Sequence, residues 1–439
     1  MEHQLKKIGV FVAGGPAAGI NGVLKGIVQE AENSGLRVLG FLNGAHGLVH
    51  GRFEHLTRAR VENIQILGGS ILGTSRHQLQ PEAGDLTRIL AHLERQGVEG
   101  LVSIGGEGTL QLADTLRRIG VRIVHVPKTI DNDIAGVSQS FGFDTAVYEA
   151  TRMLTAIKLD AEASGSWFVV EIMGRFTGHL ALEAGLAAGC TRVLVPEEGP
   201  IQFPDLLGFM KTRLHAGQNW GVILVAESAH FGDGHVMREE RLGGIAEQLA
   251  VRLQEAVREE NLPFKIRTSD LGYFLRCAEP TGYDRAYAAK LGVGAARYIQ
   301  DPCRAGHMVV VEDDCLQSVP IERVAGVLKR ANLLGARYQS LLAVAAYESA
   351  QMEARGRRQV WQAAAETLSW LGQHADLELV QEVAMRLGLP PETLLEVLQE
   401  AVSSRTASPR PGATGSEELG AEPPSDPMGP TPGGAPCPR

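Results

Sequence analysis

Cysteine is scarce in this chain, with five residues in 439: Cys190, Cys277, Cys303, Cys315 and Cys437. They are scattered, odd in number and lack any CxxC pair, which argues against a disulfide framework or a zinc site and for a reducing compartment. Basic residues are in deficit, 42 Lys and Arg against 51 Asp and Glu, giving a formal charge of −9 and a pI near 5.9. A protein that tracks a phosphate backbone usually shows a basic face, so no nucleic-acid partner is expected. No apolar run is long enough to cross a bilayer, so no membrane partner is expected. The start, MEHQLKK, leads into a strand without the apolar stretch of a signal peptide. A cytoplasmic protein is the expectation. No internal repeat at a solenoid period is visible.

What the chain does have is core material: 44% of its residues are hydrophobic, and its length exceeds the usual single domain. From Lys7 to about Leu334, β-branched apolar runs alternate with helical patterns, the arrangement that builds parallel sheets covered by helices. Ile8 to Val12, Gly100 to Ile104, Arg122 to Val126, Trp167 to Glu171, Arg192 to Val195, Gly221 to Ala226 and His307 to Glu312 read as strands.

The most informative stretch is PKTIDND, Pro127 to Asp133, directly after a predicted buried strand. Phosphoryl transfer asks for a metal held by carboxylates, cations around the moving phosphate and an acceptor for the proton of the attacking hydroxyl. Asp131, Asp133, Lys128 and Thr129 offer all three. An isolated DND is more often a polar turn bonded to its own backbone. Its neighbours shift that balance, because ligands of open α/β sheets bind at the carboxyl ends of strands.

Two glycine-rich segments also follow predicted strands and precede helical patterns. The first carries Gly14, Gly15 and Gly19, and the second is GGEGT, Gly105 to Thr109. Glycine lets the backbone approach a phosphate, and the helix that follows offers free amides. Singly each is weak, since GGEGT alone suits lipid kinases and kinases of nicotinamide dinucleotides equally well. MGRFTGHLAL, from Met173, adds a fourth element after a fourth strand.

Taken in order, GGPAAGIN (Gly14 to Asn21), GGSILGTSR (Gly68 to Arg76), GGEGT, PKTIDND, MGR (Met173 to Arg175) and LGYFLRC (Leu271 to Cys277) resemble the phosphofructokinase family over roughly residues 6 to 330. The resemblance implies a two-lobed α/β fold with Rossmann-like parallel sheets. Residues 1–142 would form the donor lobe and 143–336 the sugar-phosphate lobe, with the chain crossing between lobes more than once. It implies Asp131 as general base for the 1-hydroxyl of fructose 6-phosphate, with Asp133 beside it at a Mg²⁺ ion. Glu107 would join Asp133 at the metal. Thr129 would bond the sugar and the moving phosphate, Arg76 would bridge donor and acceptor phosphates, and Arg175 would lie near the transferred group. The donor, ATP or pyrophosphate, would sit against Gly14, Gly15, Gly105, Gly106, Glu107, Gly108, Thr109 and Lys128. Met173, Gly174, Arg175, Glu227, Arg267, Tyr273 and Arg276 would hold the sugar phosphate. A homodimer or homotetramer is implied. Taken alone, an arginine is usually a solvated surface charge, while its planar fork suits phosphate.

Several positions depart from the family pattern. Ala18 replaces a proline, Glu107 an aspartate, Tyr273 a histidine, Cys277 and Ala278 a glycine pair, and Ser166 an arginine that reaches across a subunit interface. A carboxylate beside Mg²⁺ and a lysine is a poor base at rest, so orientation is expected to matter more at Asp131 than a raised pKa. Gly108 goes with ATP in this family, whereas Lys128 is typical of pyrophosphate users. Steric exclusion is the harder constraint, so ATP is the expected donor. A pyrophosphate-dependent enzyme, one acting on sedoheptulose 7-phosphate, or a non-catalytic binding subunit are the alternatives. Cys277 is expected to be a buried structural thiol.

After Arg337 the composition turns to Ala, Leu, Glu and Gln at helical spacing, an expected helical extension over 337–405. Residues 406–439 are rich in Pro, Gly and acidic side chains with little to bury, an expected disordered tail.

Overall fold

Eleven strands form two sheets in a computed structural model that describes residues 5–77, 79–80, 82, 84–232, 242–336, 338–340 and 343. The strands are β1 (Lys7–Val12), β2 (Arg37–Phe41), β3 (Phe53–Leu56), β4 (Gly100–Gly105), β5 (Ile123–Pro127) and β6 (Trp167–Ile172). They continue with β7 (Arg192–Leu194), β8 (Gly221–Ala226), β9 (Ile266–Asp270), β10 (His307–Glu312) and β11 (Cys315–Pro320). The helices are α1 (Ile20–Asn33), α2 (Ala45–His50), α3 (Asp85–Gln96), α4 (Glu107–Arg118) and α5 (Phe143–Ser164). After them come α6 (His179–Ala188), α7 (Phe203–His215), α8 (Ile245–Glu259), α9 (Gly282–Tyr298) and α10 (Ile321–Val324). The described residues belong to one compact unit. The predicted helical extension and tail lie outside the described residues, apart from 338–340 and 343.

The larger sheet has the order β11-β10-β5-β4-β1-β2-β3 and the smaller the order β7-β8-β6-β9. β10, β5, β4, β1 and β2 run parallel, and only the two edge pairings, β10 with β11 and β2 with β3, are antiparallel. All pairings in the smaller sheet are parallel. Central strands explain why the runs read from sequence are continuous rather than alternating: β1, β4, β5, β6 and β8 are buried almost end to end, on both faces. The strands that sequence did not single out, β2, β3, β9 and β11, are mostly short or edge elements, and β3, β9 and β11 carry exposed polar positions.

The chain returns from the second sheet to the first at its end, since β10 and β11 join β5 in the larger sheet. On the way, α9 packs against α1 so closely that a methyl group on Gly26 would stand 2.5 Å from the carbonyl oxygen of Ala289. One on Gly292 would stand 2.3 Å from the carbonyl oxygen of Val23, so both helices need glycine for backbone approach. Among the described residues no helix is long and apolar enough to cross a membrane.

Candidate functional site

β1, β4 and β5 are neighbours in the larger sheet, and their carboxyl ends carry the three loops singled out in the sequence. Backbone bonds tie them together. Ala13 donates to the carbonyl of Ile104 at 3.0 Å, Lys128 to that of Gly105 at 2.8 Å, and Gly14 to that of Ser75 at 2.9 Å. Order β4-β1-β2 also makes β1 the strand at which the winding reverses, where a doubly wound sheet opens a crevice.

Asn21, buried at the start of α1, anchors the loop that leads to Arg76. Its Oδ1 accepts from Ile71 N at 2.9 Å and its Nδ2 donates to Leu67 O at 3.0 Å. A methyl group on Gly68 would strike the Cys277 carbonyl oxygen at 2.1 Å, so this loop and the LGYFLRC segment meet by backbone approach. Cys277 itself is exposed, which corrects the expectation of a buried thiol: Leu275 is the residue this short helical turn buries. The four described cysteines are free, and burial pushes Cys190 up to about 12.

The helices after the first two loops begin without side-chain caps. α1 starts after Gly19, at φ 93°, and α4 after Gly106. Their first-turn amides are therefore open to an anion. Lys128 is buried, and its ammonium donates to the carbonyl oxygen of Gly15. Burial lowers its pKa to about 8 against the opposing pull of Asp131. A side chain on Gly105 would collide with Thr109 Oγ1 at 2.1 Å, which accounts for glycine there. Gly108 is different. Its φ is not left-handed, and a methyl group would meet nothing within 4 Å, so neither conformation nor packing within the protein requires glycine.

In the acidic turn, Thr129 Oγ1 accepts from the amide of Asp131 at 3.0 Å and reaches Asp131 Oδ2 at 3.5 Å. Asn132, between the two aspartates, takes φ 55°. Burial, then Asp133 and Glu227, push Asp131 up to about 7, while Arg175 and Arg276 pull it down. Without a metal its pKa is raised because this carboxylate is buried and sits beside two others, whereas the expectation of a poor resting base concerned the Mg²⁺-bound site.

Across the crevice, β6 and β8 end side by side and deliver MGR and Glu227. Glu227 Oε1 accepts from Arg175 N at 2.7 Å and Gly174 N at 3.1 Å. Burial still raises its pKa. Arg175, like Asn132, is left-handed at φ 51°, a conformation that costs a branched or bulky residue on the order of 1–2 kcal/mol and concentrates at functional turns. Thr177 Oγ1 reaches the Asp131 carbonyl at 3.5 Å, linking the two sheets' loops directly.

Arg276 lies closer to the donor loop than the sequence implied. Its guanidinium would sit 3.6 Å from a methyl group on Gly15, and it acts on Lys128, Asp131 and Glu227 alike. Its side chain stacks over Tyr273 at 4.7 Å, and Tyr273 is 75% exposed. Arg76 is exposed and close enough to depress the pKa of Lys128. Met173 packs at the edge of the main core, and Arg267 lies over the Phe168 ring at 5.8 Å, on β9. Ser166 is fully buried and accepts from the Ser164 hydroxyl at 2.8 Å, so it presents nothing to a ligand.

Two carboxylate oxygens are buried with no hydrogen-bond partner among the described residues: Asp133 Oδ1 and Glu107 Oε2. The other Glu107 oxygen accepts from Gly326 N at 2.5 Å and Gln111 Nε2 at 3.0 Å. Among the described residues no group of three or more acidic, His or Cys side chains could hold a metal. That donor set fits Mg²⁺, which takes one or two carboxylates and fills its octahedron with water and substrate phosphate.

The phosphofructokinase family model matches residues 7–299. The chain belongs to the phosphofructokinase family. It is 39% identical over 296 residues to "ATP-dependent 6-phosphofructokinase 3" of Streptomyces coelicolor, covering 65% of this chain and 85% of the relative. It is 34% identical over 343 residues to an "ATP-dependent 6-phosphofructokinase" of Chloroflexus aurantiacus, covering 75% and 94%. It is also 35% identical over 333 residues to a "Pyrophosphate--fructose 6-phosphate 1-phosphotransferase" of Amycolatopsis methanolica, covering 74% and 95%. The fold is similar to that of a pyrophosphate-dependent phosphofructokinase from Nitrosospira multiformis, with a TM-score of 0.66 and 19% identity over 79% of this chain and 91% of that one. It is likewise similar to Saccharomyces cerevisiae phosphofructokinase, with a TM-score of 0.63 and 23% identity, although this phosphofructokinase spans only 47% of that longer chain.

Proposed function

We propose that this phosphofructokinase transfers a phosphoryl group from ATP to the 1-hydroxyl of fructose 6-phosphate, a reaction of glycolysis carried out in the cytoplasm. The observation that carries the reading is Asp131: a buried carboxylate raised to about 7, in reach of Thr129, next to Asp133, and acted on by three cations, Arg175, Arg276 and Lys128. A base whose pKa lies near neutrality accepts a hydroxyl proton with the least mismatch. Lys128, Arg76, Arg175 and Arg276 neutralise charge around the moving group, and the open amides of α1 and α4 hold the donor phosphates. Asp133 and Glu107 would hold Mg²⁺, which, when bound, neutralises charge on the donor phosphates. Glu227, fixed by the MGR backbone, and Met173, Gly174, Arg267, Tyr273 and Arg276 would hold the sugar phosphate. The exposed Tyr273 and Phe274 beside Arg276 suit a homodimer or homotetramer in which a neighbouring subunit completes that pocket.

Gly108 favours ATP, because the space beside it is left open by the protein and a donor nucleotide would use it. A second reading, pyrophosphate as donor, is favoured by Lys128, whose buried ammonium stands at Gly15 where it would hold a leaving phosphate. Turnover of the purified protein with ATP and with pyrophosphate, each against fructose 6-phosphate and sedoheptulose 7-phosphate, separates these readings. ATP-dependent turnover of fructose 6-phosphate, lost in Asp131→Ala, is the expected result. Pyrophosphate turnover without ATP turnover overturns the donor, and equal rates in wild type and Asp131→Ala overturn the catalytic assignment.

A further inference from the structure

Beyond the matched domain, residues 326–331 touch both acidic elements of the site. Gly326 N donates to Glu107, and Leu328 forms an isolated antiparallel bridge with Ile134. Lys329 N donates to the Asp133 carbonyl at 2.9 Å. The Lys329 ammonium donates to Asn132 Oδ1 at 3.1 Å and to the Ser138 carbonyl at 2.8 Å. On the other side, His179 Nε2 stands 3.2 Å from the Lys329 carbonyl and Ala331 N donates to Glu197 Oε1 at 2.9 Å. That same glutamate accepts from Gly178 N, which follows the MGR turn.

The left-handed Asn132 receives part of its support from this segment. At φ 55° Asn132 is in the left-handed region, which asparagine adopts more readily than other non-glycine residues but which still leaves the turn dependent on the bonds that hold its side chain. Asn132 Oδ1 has two donors, Ser140 N at 3.1 Å and the Lys329 ammonium. One comes from the turn itself and the other from a segment 197 residues away. Lys329 also holds the backbone of Asp133 while making no claim on Oδ1, the oxygen left without a partner.

We propose that Lys329 is a positioning residue for phosphoryl transfer: through Asn132, Ser138 and the Asp133 carbonyl it fixes the turn that aims Asp131 and Asp133. In this role it acts through the turn and not by contact with substrate or metal. This rests on the reading of Asp131 as the base, and the test separates the two. In Lys329→Met, kcat falls roughly 10–100-fold, the range expected when a catalytic group is misplaced by about an ångström. KM for fructose 6-phosphate stays within about twofold, because the sugar contacts lie on other loops. Hydrogen exchange of the amides at 131–134 speeds up in the ligand-free protein, a readout independent of turnover. Asn132→Ala lowers kcat similarly, and the double variant is no slower than the slower single one. Lys329→Arg, which keeps a charged donor, recovers most of kcat. Should Lys329→Met fail to fold, Lys329→Gln carries the same comparison. An unchanged kcat in a Lys329 variant, multiplicative losses in the double variant, or unaltered exchange at 131–134 overturns the proposal. Asp131→Asn run alongside keeps the two ideas apart. If it is inactive while Lys329→Met is normal, only the positioning role fails; if it turns over normally, the underlying assignment fails first.

Discussion

The carboxylate of Asp284, in the first turn of α9, is bonded to the start of α5, 139 residues earlier, as a cap supplied from another element. It accepts from Gly142 N at 2.9 Å, from Thr145 N at 2.8 Å and from the Thr145 hydroxyl at 2.5 Å. α5 has no side-chain cap of its own and begins where the acidic turn's loop ends, so one buried carboxylate joins the loop, α5 and α9.

Replacing Asp284 by Ala leaves two buried amides without an acceptor and strips the Thr145 hydroxyl of its acceptor, leaving it only the Thr281 amide from which it accepts. The expected loss is about 2–4 kcal/mol, as for other broken buried polar networks. Urea unfolding checks this: the midpoint should fall with the slope unchanged.

Asp131 carries a pH prediction. As a base it must be ionised, so with its pKa near 7 the rate should fall about tenfold for each pH unit below that value. A bound Mg²⁺ favours the ionised form and should move the limb to lower pH. A kcat/KM profile that stays flat down to pH 5 contradicts this.

The same raised pKa implies that the site costs stability. The folded state holds the Asp131 proton more tightly than the unfolded chain, so this contribution is complete at acid pH, below the unfolded value near 4. It is lost as pH rises through about 7. Asp131→Asn should therefore stabilise the ligand-free protein at pH 8 by roughly 1–3 kcal/mol while abolishing turnover, and the gain should shrink at pH 5. Thermal melts at both pH values measure it.

Gly108→Asp tests the donor pocket without disturbing the fold. The added side chain begins in open space, so stability should change by less than about 0.5 kcal/mol. KM for ATP should rise at least about tenfold, a loss of roughly 1.4 kcal/mol in binding. An unchanged KM shows that the nucleotide does not use this space.

Gly26→Ala should destabilise through overpacking, by about 1–3 kcal/mol, because the new methyl meets backbone of α9 at 2.5 Å instead of a side chain that can turn away. Differential scanning calorimetry should show a lower midpoint, whereas Gly35→Ala, with nothing within 4 Å but φ 74°, should lose only the smaller backbone penalty of about 1 kcal/mol.

Much of this protein was legible in its sequence because buried parallel strands and the loops after them are local features. Ile8 to Val12, Gly221 to Ala226 and His307 to Glu312 are continuous apolar runs, and each forms the strand it suggests within a residue or so. Edge strands were silent because their partners, more than their own side chains, make them strands: β9 is polar at four of its five positions and owes its place to register with β6.

The residue types at the loops were likewise set by sequence, since PKTIDND, GGEGT and MGR state which groups are available. Tertiary structure alone decided how they are used. It turned Glu107 toward Gly326, brought Arg276 against Gly15, buried Ser166, exposed Cys277, raised Asp131 and placed Lys329 on Asn132. Local pattern fixes an element because its causes lie within a few residues. Burial, charge proximity and long-range hydrogen bonds depend on what the rest of the chain puts nearby, and no window along the sequence contains that.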